Sequence, residues 1–373
     1  MTNADTLDRL FAQNTIAIRR GSLFGTAPAT HVGISFDRLE GMILGLALGD
    51  SLGNTTEGQL PMERAAAFGE IRDYLPNRYA AGRPVGLPSD DSQLALWTLE
   101  QMVRDGAFVP ENVARRFCSG QIFGIGSAVR EFVHNHRDGG LPWYAAGPAS
   151  AGNGALMRIA PMLFPHLATG TANLWVDAGL SAMTTHNDSA SIGSCLAFIS
   201  ILWQLLAMDG APTSRWWLDS FLNVAADVDL GTIYKPRGGS FVGYRGAFPT
   251  FVKEVVRDAT ERGLSTLEAA NGWYSGAYLL ETVPSVLYIL MRHGNDPEEA
   301  IIRAVNDTRD NDTVAAIVGA AMGALHGRSA LPRRWIDGLL GRTAEGDDGR
   351  LFSLLTEARA AFFEPNGGAA LAS

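Results

Sequence analysis

From Phe36 onward the apolar residues recur every third or fourth position rather than every second, in segments that stop at Gly or Pro. That spacing predicts helices over 37–50, 91–104, 111–118, 174–184, 190–208, 215–224, 248–262, 276–292, 297–305, 312–326, 332–340 and 350–363, and so an all-α chain. Only 232–248, with glycines at 238, 239, 243 and 246 set between aromatics, resists a helical reading. It is expected to form an irregular loop or short hairpin that borders the functional site. Residues 1–36 are of another kind: an amphipathic stretch around Leu7, Leu10 and Phe11 runs into small-residue segments at 21–25 and 27–30. They are expected to be an appended arm, with a disordered terminus or a strap folded on the core as the other readings, ahead of one domain over 37–365.

Two of the predicted helices carry a stripe of small residues. Gly41, Gly45, Gly49 and Gly53 fall every fourth position, as do Ala315, Gly319, Gly323 and Gly327. A helical glycine costs roughly 1 kcal/mol against alanine, so a run on one face needs the return of close backbone packing. The two helices are therefore expected to lie in central contact.

Composition removes several classes of function. A net charge of −9 with no Lys/Arg cluster argues against bulk nucleic-acid binding. Cys118 and Cys195 have no disulfide or metal spacing and read as small buried hydrophobes, which suits a reducing cytoplasm. The first residues do not resemble a secretory signal. The longest apolar stretch, 190–208, is interrupted by Ser191, Ser194, Ser200 and Gln204 and reads as a core helix rather than a membrane span.

The candidate chemistry is acidic. The first striped helix runs out after Asp50 and leaves Glu57 in a loop, Ser89-Asp90-Asp91-Ser92 opens the helix 91–104, and Asp310-Asn311-Asp312-Thr313 opens the second striped helix. The second segment alone is ordinary helix-cap chemistry. The third offers more oxygens than a cap uses, and hard cations such as magnesium take carboxylate and hydroxyl oxygens. If the stripes pack, Glu57 comes near Asp310 and Asp312, and carboxylates so crowded raise one another's pKa unless a cation neutralises them.

Five motifs, in order over about 38–328, resemble the ADP-ribosylglycohydrolase family. They are Gly49-Asp50-Ser-Leu-Gly53 with Glu57, Ser89-Asp90-Asp91, Gly152-Asn153-Gly154 running to Arg158 and Pro161, His186 in Thr184–Asp188, and Asp310–Thr313 with Gly319 and Gly323. The resemblance implies an orthogonal helical bundle holding two magnesium ions through Ser89, Asp90, Asp91, Asp310, Asp312 and Thr313. It implies Glu57 or Asp91 as acid/base, and a substrate lined by Gly124, Gly126, Ser150, Gly152, Asn153, Gly154 and His186. The implied reaction is hydrolysis of an ADP-ribosyl bond on a modified protein, with arginine the expected linkage. Some relatives are immunity proteins that also occlude an ADP-ribosylating toxin through an N-terminal extension, and residues 1–36 fit that alternative. Three positions depart from the family pattern: Arg309 stands for a common glycine, Asn311 for a threonine, and Ala151 for an aromatic that stacks on substrate. Arg309 is expected to meet a substrate phosphate or to pair with Asp307, and adenine to stack on Tyr234, Phe241 or Tyr244.

Overall fold

Ser35 caps the helix Phe36–Gly53 by accepting a hydrogen bond from the Asp37 amide at 3.2 Å, and the helix runs to its end with one buried face made of glycine. In this computed structural model, which describes residues 1–29 and 33–364, that helix lies antiparallel against Asn311–His326. Gly41 faces Gly323, Gly45 faces Gly319, Gly49 faces Ala315 and Gly53 faces Asp312. A Cβ on Gly45 would fall 2.7 Å from the Gly319 carbonyl carbon and closer still to its oxygen. The stripes thus pack backbone on backbone, and each glycine is explained by its opposite number. The pairing brings the C-terminal end of one helix to the N-terminal end of the other, which places Asp50 and Glu57 beside Asp310 and Asp312.

The other helices wrap this pair. Pro297–Asp307, Leu279–His293 and Ser189–Leu205 pack on Asn311–His326, and Asp90–Asp105 packs on both central helices. Among the described residues there is no β-strand, only isolated bridges, so the chain is all-α. The expected helices are present with shifted ends; 190–208, for instance, stops at Leu205, and 350–363 ends in a π-turn. Several elements lie outside the apolar-period prediction, among them Pro61–Phe68, Ser127–Val133, Trp143–Ala146, Thr266–Trp273 and the 3₁₀ turns over Ala160–His166. The segment 232–248 is irregular, with one bridge between Tyr234 and Gly246. No helix among the described residues is long and apolar enough to cross a membrane. Cys195 is buried and Cys118 only partly so.

Residues 1–29 are seated on the body. Thr2 and Asp5 form a reciprocal capping box at the start of the helix Asn3–Ala12, whose Leu7 and Leu10 join the same buried cluster as Leu44 and Leu325. Ile16 and Ile18 follow them into that cluster. Asn3 donates to Asp177 at 2.7 Å, and the Ala17 amide donates at 2.9 Å to the Asn187 side chain, next to His186. Residues 30–32 of the expected arm and residue 365 at the expected domain end lie outside the described residues.

Candidate functional site

The meeting of helix ends produces a cleft. Its walls include the acidic group Glu57, Asp90, Asp91, Asp310, Asp312 and Thr313 together with Gly124, Gly126, Ser150, Gly152, Asn153, Gly154 and His186. Of the metal-binding, acid/base and glycine-loop residues expected from sequence, Ser89 alone does not line it. Ser89 stands behind, its hydroxyl within hydrogen-bond distance of Asp50 at 2.7 Å and of Asp91 at 3.1 Å.

Asp50 is the residue whose role sequence reasoning missed. Its carboxylate is fully buried and accepts hydrogen bonds from Ser89 N at 2.9 Å, Ser92 N at 3.1 Å, the Ser89 and Ser92 hydroxyls at 2.7 and 2.5 Å, and Asn54 at 2.9 Å. It ties the first striped helix to the start of Asp90–Asp105. The available signal was its register: Asp50 follows Gly49 at the site end of the stripe. Asp50, Asp91 and Asp312 each offer a carboxylate oxygen, and these oxygens all lie within 4.8 Å of one another.

Arg237 draws the Asp310 carboxyl down and Arg64 feels the charge of Asp312, but among the described residues no Lys or Arg forms an ion pair with Asp50, Asp91, Asp310 or Asp312. Burial pushes the Asp91 and Asp312 carboxyls well above the usual range, and the neighbouring aspartates push further. Asp310 is pushed up to about 6 by burial, against the Asn153 amide that donates to it at 2.5 Å. The nearest buried arginine, Arg64, gives its hydrogen bonds to the backbone carbonyls of Gln59, Asn306 and Thr308. One oxygen each of Asp91 and Asp312 is buried with no hydrogen-bond partner. Orphaned anionic oxygens in an all-oxygen pocket fit a hard divalent cation, which neutralises the cluster and satisfies those lone pairs.

The glycine loops are shaped by what passes behind them. A Cβ on Gly154 would sit 2.8 Å from the His186 ring, so the loop can pass only as glycine. The loop is anchored by Leu279 N to the Ala151 carbonyl at 2.9 Å and by Asn153 to Thr282 at 3.0 Å. On the other loop Gly124 has φ +67°, and the Gly126 amide points at Asp90 from 3.4 Å. His186 is buried and held by a relay: Arg158 donates to the Thr185 hydroxyl at 2.8 Å, which lies 2.9 Å from His186 Nδ1. An arginine can only donate, so the Thr185 hydroxyl accepts from it and gives its own proton to Nδ1. The imidazole proton then sits on Nε2, the nitrogen beside Gly152 and Gly154. Burial, then Arg158, pushes the His186 pKa down to about 3, so the ring is a neutral donor.

The expected aromatic platform is corrected. Tyr234 is buried against Phe248 with its hydroxyl on Asp188, while Phe241 and Tyr244 pack on Phe251; none lines the cleft. The Tyr234 and Phe241 rings pack edge-on with Phe248 and Phe251 respectively, and Tyr244 packs tilted on Phe251, away from the cleft. Arg309 does not pair with Asp307, which is taken by Arg303 at 3.6 Å and by Thr266. Asn311 donates to the Gly53 carbonyl and the Thr56 hydroxyl, both at 3.0 Å, locking the loop that carries Glu57.

The sequence model of a family described as ADP-ribosylglycohydrolase matches residues 33–361. The chain belongs to that family. An ADP-ribosylglycohydrolase hydrolyses glycosyl bonds to ADP-ribose, and the carboxylates that line this cleft suit that chemistry. The chain is similar to an ADP-ribosylarginine hydrolase Tri1 of Pseudomonas putida, 26% identical over 81% of this chain and 74% of that protein. It is also similar to the ADP-ribosylhydrolase ARH3 of Bos taurus, 25% identical over 81% of this chain and 88% of that one. A solved structure titled ADP-ribosylglycohydrolase-related protein complex superposes with a TM-score of 0.64 at 27% identity, covering 88% of this chain and 98% of its own.

Proposed function

We propose that this chain is a magnesium-dependent hydrolase that releases ADP-ribose from modified protein side chains, arginine foremost. The observation that carries the reading is the convergence of Asp50, Asp91 and Asp312 with two carboxylate oxygens left unsatisfied. Asp90, Asp91, Asp310, Asp312 and Thr313 would hold two magnesium ions, with Ser89 and Asp50 fixing them from behind. Bound magnesium supplies positive charge against these carboxylates and toward the hydroxyls of the ribose being released. The protein's own groups do the rest. Asp310 is oriented by Asn153, the His186 Nε2–H and the glycine-loop amides donate to the substrate, and Glu57 is the acid/base. Glu57 is preferred to Asp91 for that role because it is solvent-accessible in the cleft wall, whereas Asp91 is 2% exposed among carboxylates. Its carboxyl is held above the usual range, first by desolvation in the cleft and then by Asp50, a shift in the direction that favours proton transfer by a carboxyl group.

The arginine linkage is supported by the motif resemblance and by the relative named as an ADP-ribosylarginine hydrolase; serine is the linkage to test against it. Release of labelled ADP-ribose from one protein modified on arginine and another modified on serine decides. Release from arginine supports the reading, release from serine alone moves the linkage, and release from neither overturns it. The alternative, an immunity protein whose N-terminal arm occludes a toxin, requires an arm free to reach a partner. The burial of Leu7, Leu10, Ile16 and Ile18 supports a strap instead. We infer a cytoplasmic location from two unpaired cysteines.

A further inference from the structure

Across Glu57, Ala277 and Asp310, which wall both spaces, the cleft adjoins a second cavity of about 460 Å³. Its remaining lining has the opposite sign, with Arg237 and Arg309 flanking Tyr274. Arg237 is already neutralised: Glu281, itself buried, accepts from it at 2.7 and 3.0 Å. Arg309 is not. Its guanidinium lies 4.1 Å over the Tyr274 ring, its Nε is buried without a hydrogen-bond partner, and among the described residues no carboxylate pairs with it.

The platform is held firmly. Tyr274 and Ser275 both have positive φ, +80° and +42°, a strained pair for side-chain-bearing residues. The strain is fixed by the Ser275 carbonyl, which accepts from Arg309 N at 3.2 Å and Asp310 N at 3.0 Å. One turn therefore sets both the Tyr274 face and the peptide between Arg309 and Asp310.

The glycine loops, His186, Asp90, Asp91 and Asp312 line the cleft and not the second cavity, whereas Glu57 and Asp310 wall both. A group leaving the ribose past Glu57 and Asp310 therefore has the second cavity before it. We propose that this cavity seats the polypeptide that carried the ADP-ribose, and that Arg309, laid flat on Tyr274, selects target sites with an acidic residue close to the modified one. The proposal rests on the hydrolase reading but on neither linkage. A preformed guanidinium with free donors favours a planar carboxylate, because two parallel hydrogen bonds can form with no further ordering of the arginine. The segment 232–248, which supplies Arg237, then contributes to the peptide side of the site rather than to adenine.

The test uses the full chain and two fluorescent peptides bearing ADP-ribose on the same residue, one flanked by Glu and one by Gln. Wild type is expected to favour the Glu peptide by roughly tenfold in kcat/KM, through KM, as a charge-assisted pair implies. The preference should shrink to within about twofold in Arg309→Gln, survive in part in Arg309→Lys, and weaken in wild type at about 0.5 M salt. Equal KM values for the two peptides in wild type, or a preference that persists in Arg309→Gln, overturns the proposal. If neither peptide is cleaved, the hydrolase reading fails separately. Anisotropy titrations of the same peptides then decide the cavity: tighter binding of the Glu peptide, lost in Arg309→Gln, upholds it, and indifference refutes it.

Discussion

Gly45→Ala puts one methyl group where two helix backbones touch. Its Cβ would lie 2.7 Å from the Gly319 carbonyl carbon, against the 3.4–4 Å of ordinary contact, so the central helices must part by about 1 Å. A backbone carbonyl cannot turn aside as a side chain can. A gap of that size forfeits between a quarter and a half of the dispersion wells along the seam, which puts the cost at or above about 3 kcal/mol, the top of the usual overpacking range. Alanine's better helix propensity returns about 1 kcal/mol, leaving a net loss of at least about 2 kcal/mol. Gly193→Ala is the control. It sits in Ser189–Leu205 with its nearest neighbour, Val228 Cγ2, at 3.5 Å, so the propensity gain of about 1 kcal/mol should stand almost alone. The two variants should differ by about 3 kcal/mol, a separation of urea midpoints on the order of 1 M for a chain of this size. Midpoints that shift equally and in the same direction would refute the backbone-on-backbone seam.

Three further outcomes follow from the same geometry. Asp50→Asn sets an amide NH₂ against serine and asparagine donors, so it should lower stability by about 2–3 kcal/mol and weaken magnesium binding at least tenfold by calorimetric titration. His186 is neutral in the fold with a pKa of about 3, against 6.5 when exposed, so its contribution is whole above pH 6.5 and is lost as pH falls toward 3. Between pH 6.5 and 5 wild type should lose about 2 kcal/mol of unfolding free energy that His186→Gln does not lose, read from urea curves at each pH. Deleting residues 1–19 removes Leu7, Leu10, Ile16 and Ile18 from the core, at about 1.5–3 kcal/mol each. The truncated chain should melt far below wild type, and an unchanged melting temperature would restore the free-arm reading.

The glycine stripes were readable because a glycine every fourth residue weakens a helix unless another backbone packs against that face. Once the stripes pair, the convergence of Asp50 and Glu57 with Asp310 and Asp312 follows. Other features leave weaker marks. Pro61–Phe68 is short and mostly exposed, so the apolar period has nothing to act on; its marks are Pro61 at the first turn and Glu63 reaching back to the Leu60 amide at 2.8 Å. The turns over Ala160–His166 are broken by Pro161 and Pro165 and follow no helical period although nearly every residue is buried. Arg158 and Arg64 enter the interior because they find oxygens contributed by distant segments, which local pattern cannot reveal. The aromatic platform is misplaced by sequence for a related reason: Tyr234, Phe241 and Tyr244 pack against Phe248 and Phe251, and only the fold shows that this packing lies away from the cleft.

On the proposed function, the buried carboxylates bind a divalent cation that hydrolysis requires. Release of ADP-ribose from an ADP-ribosyl-arginine protein, measured after EDTA treatment and again after magnesium is restored, for wild type and Asp312→Asn, tests it most directly. Release is expected to stop with EDTA, to return with magnesium in wild type, and not to return in a folded Asp312→Asn. Release that continues in EDTA, or that Asp312→Asn sustains at the wild-type rate, would contradict the claim.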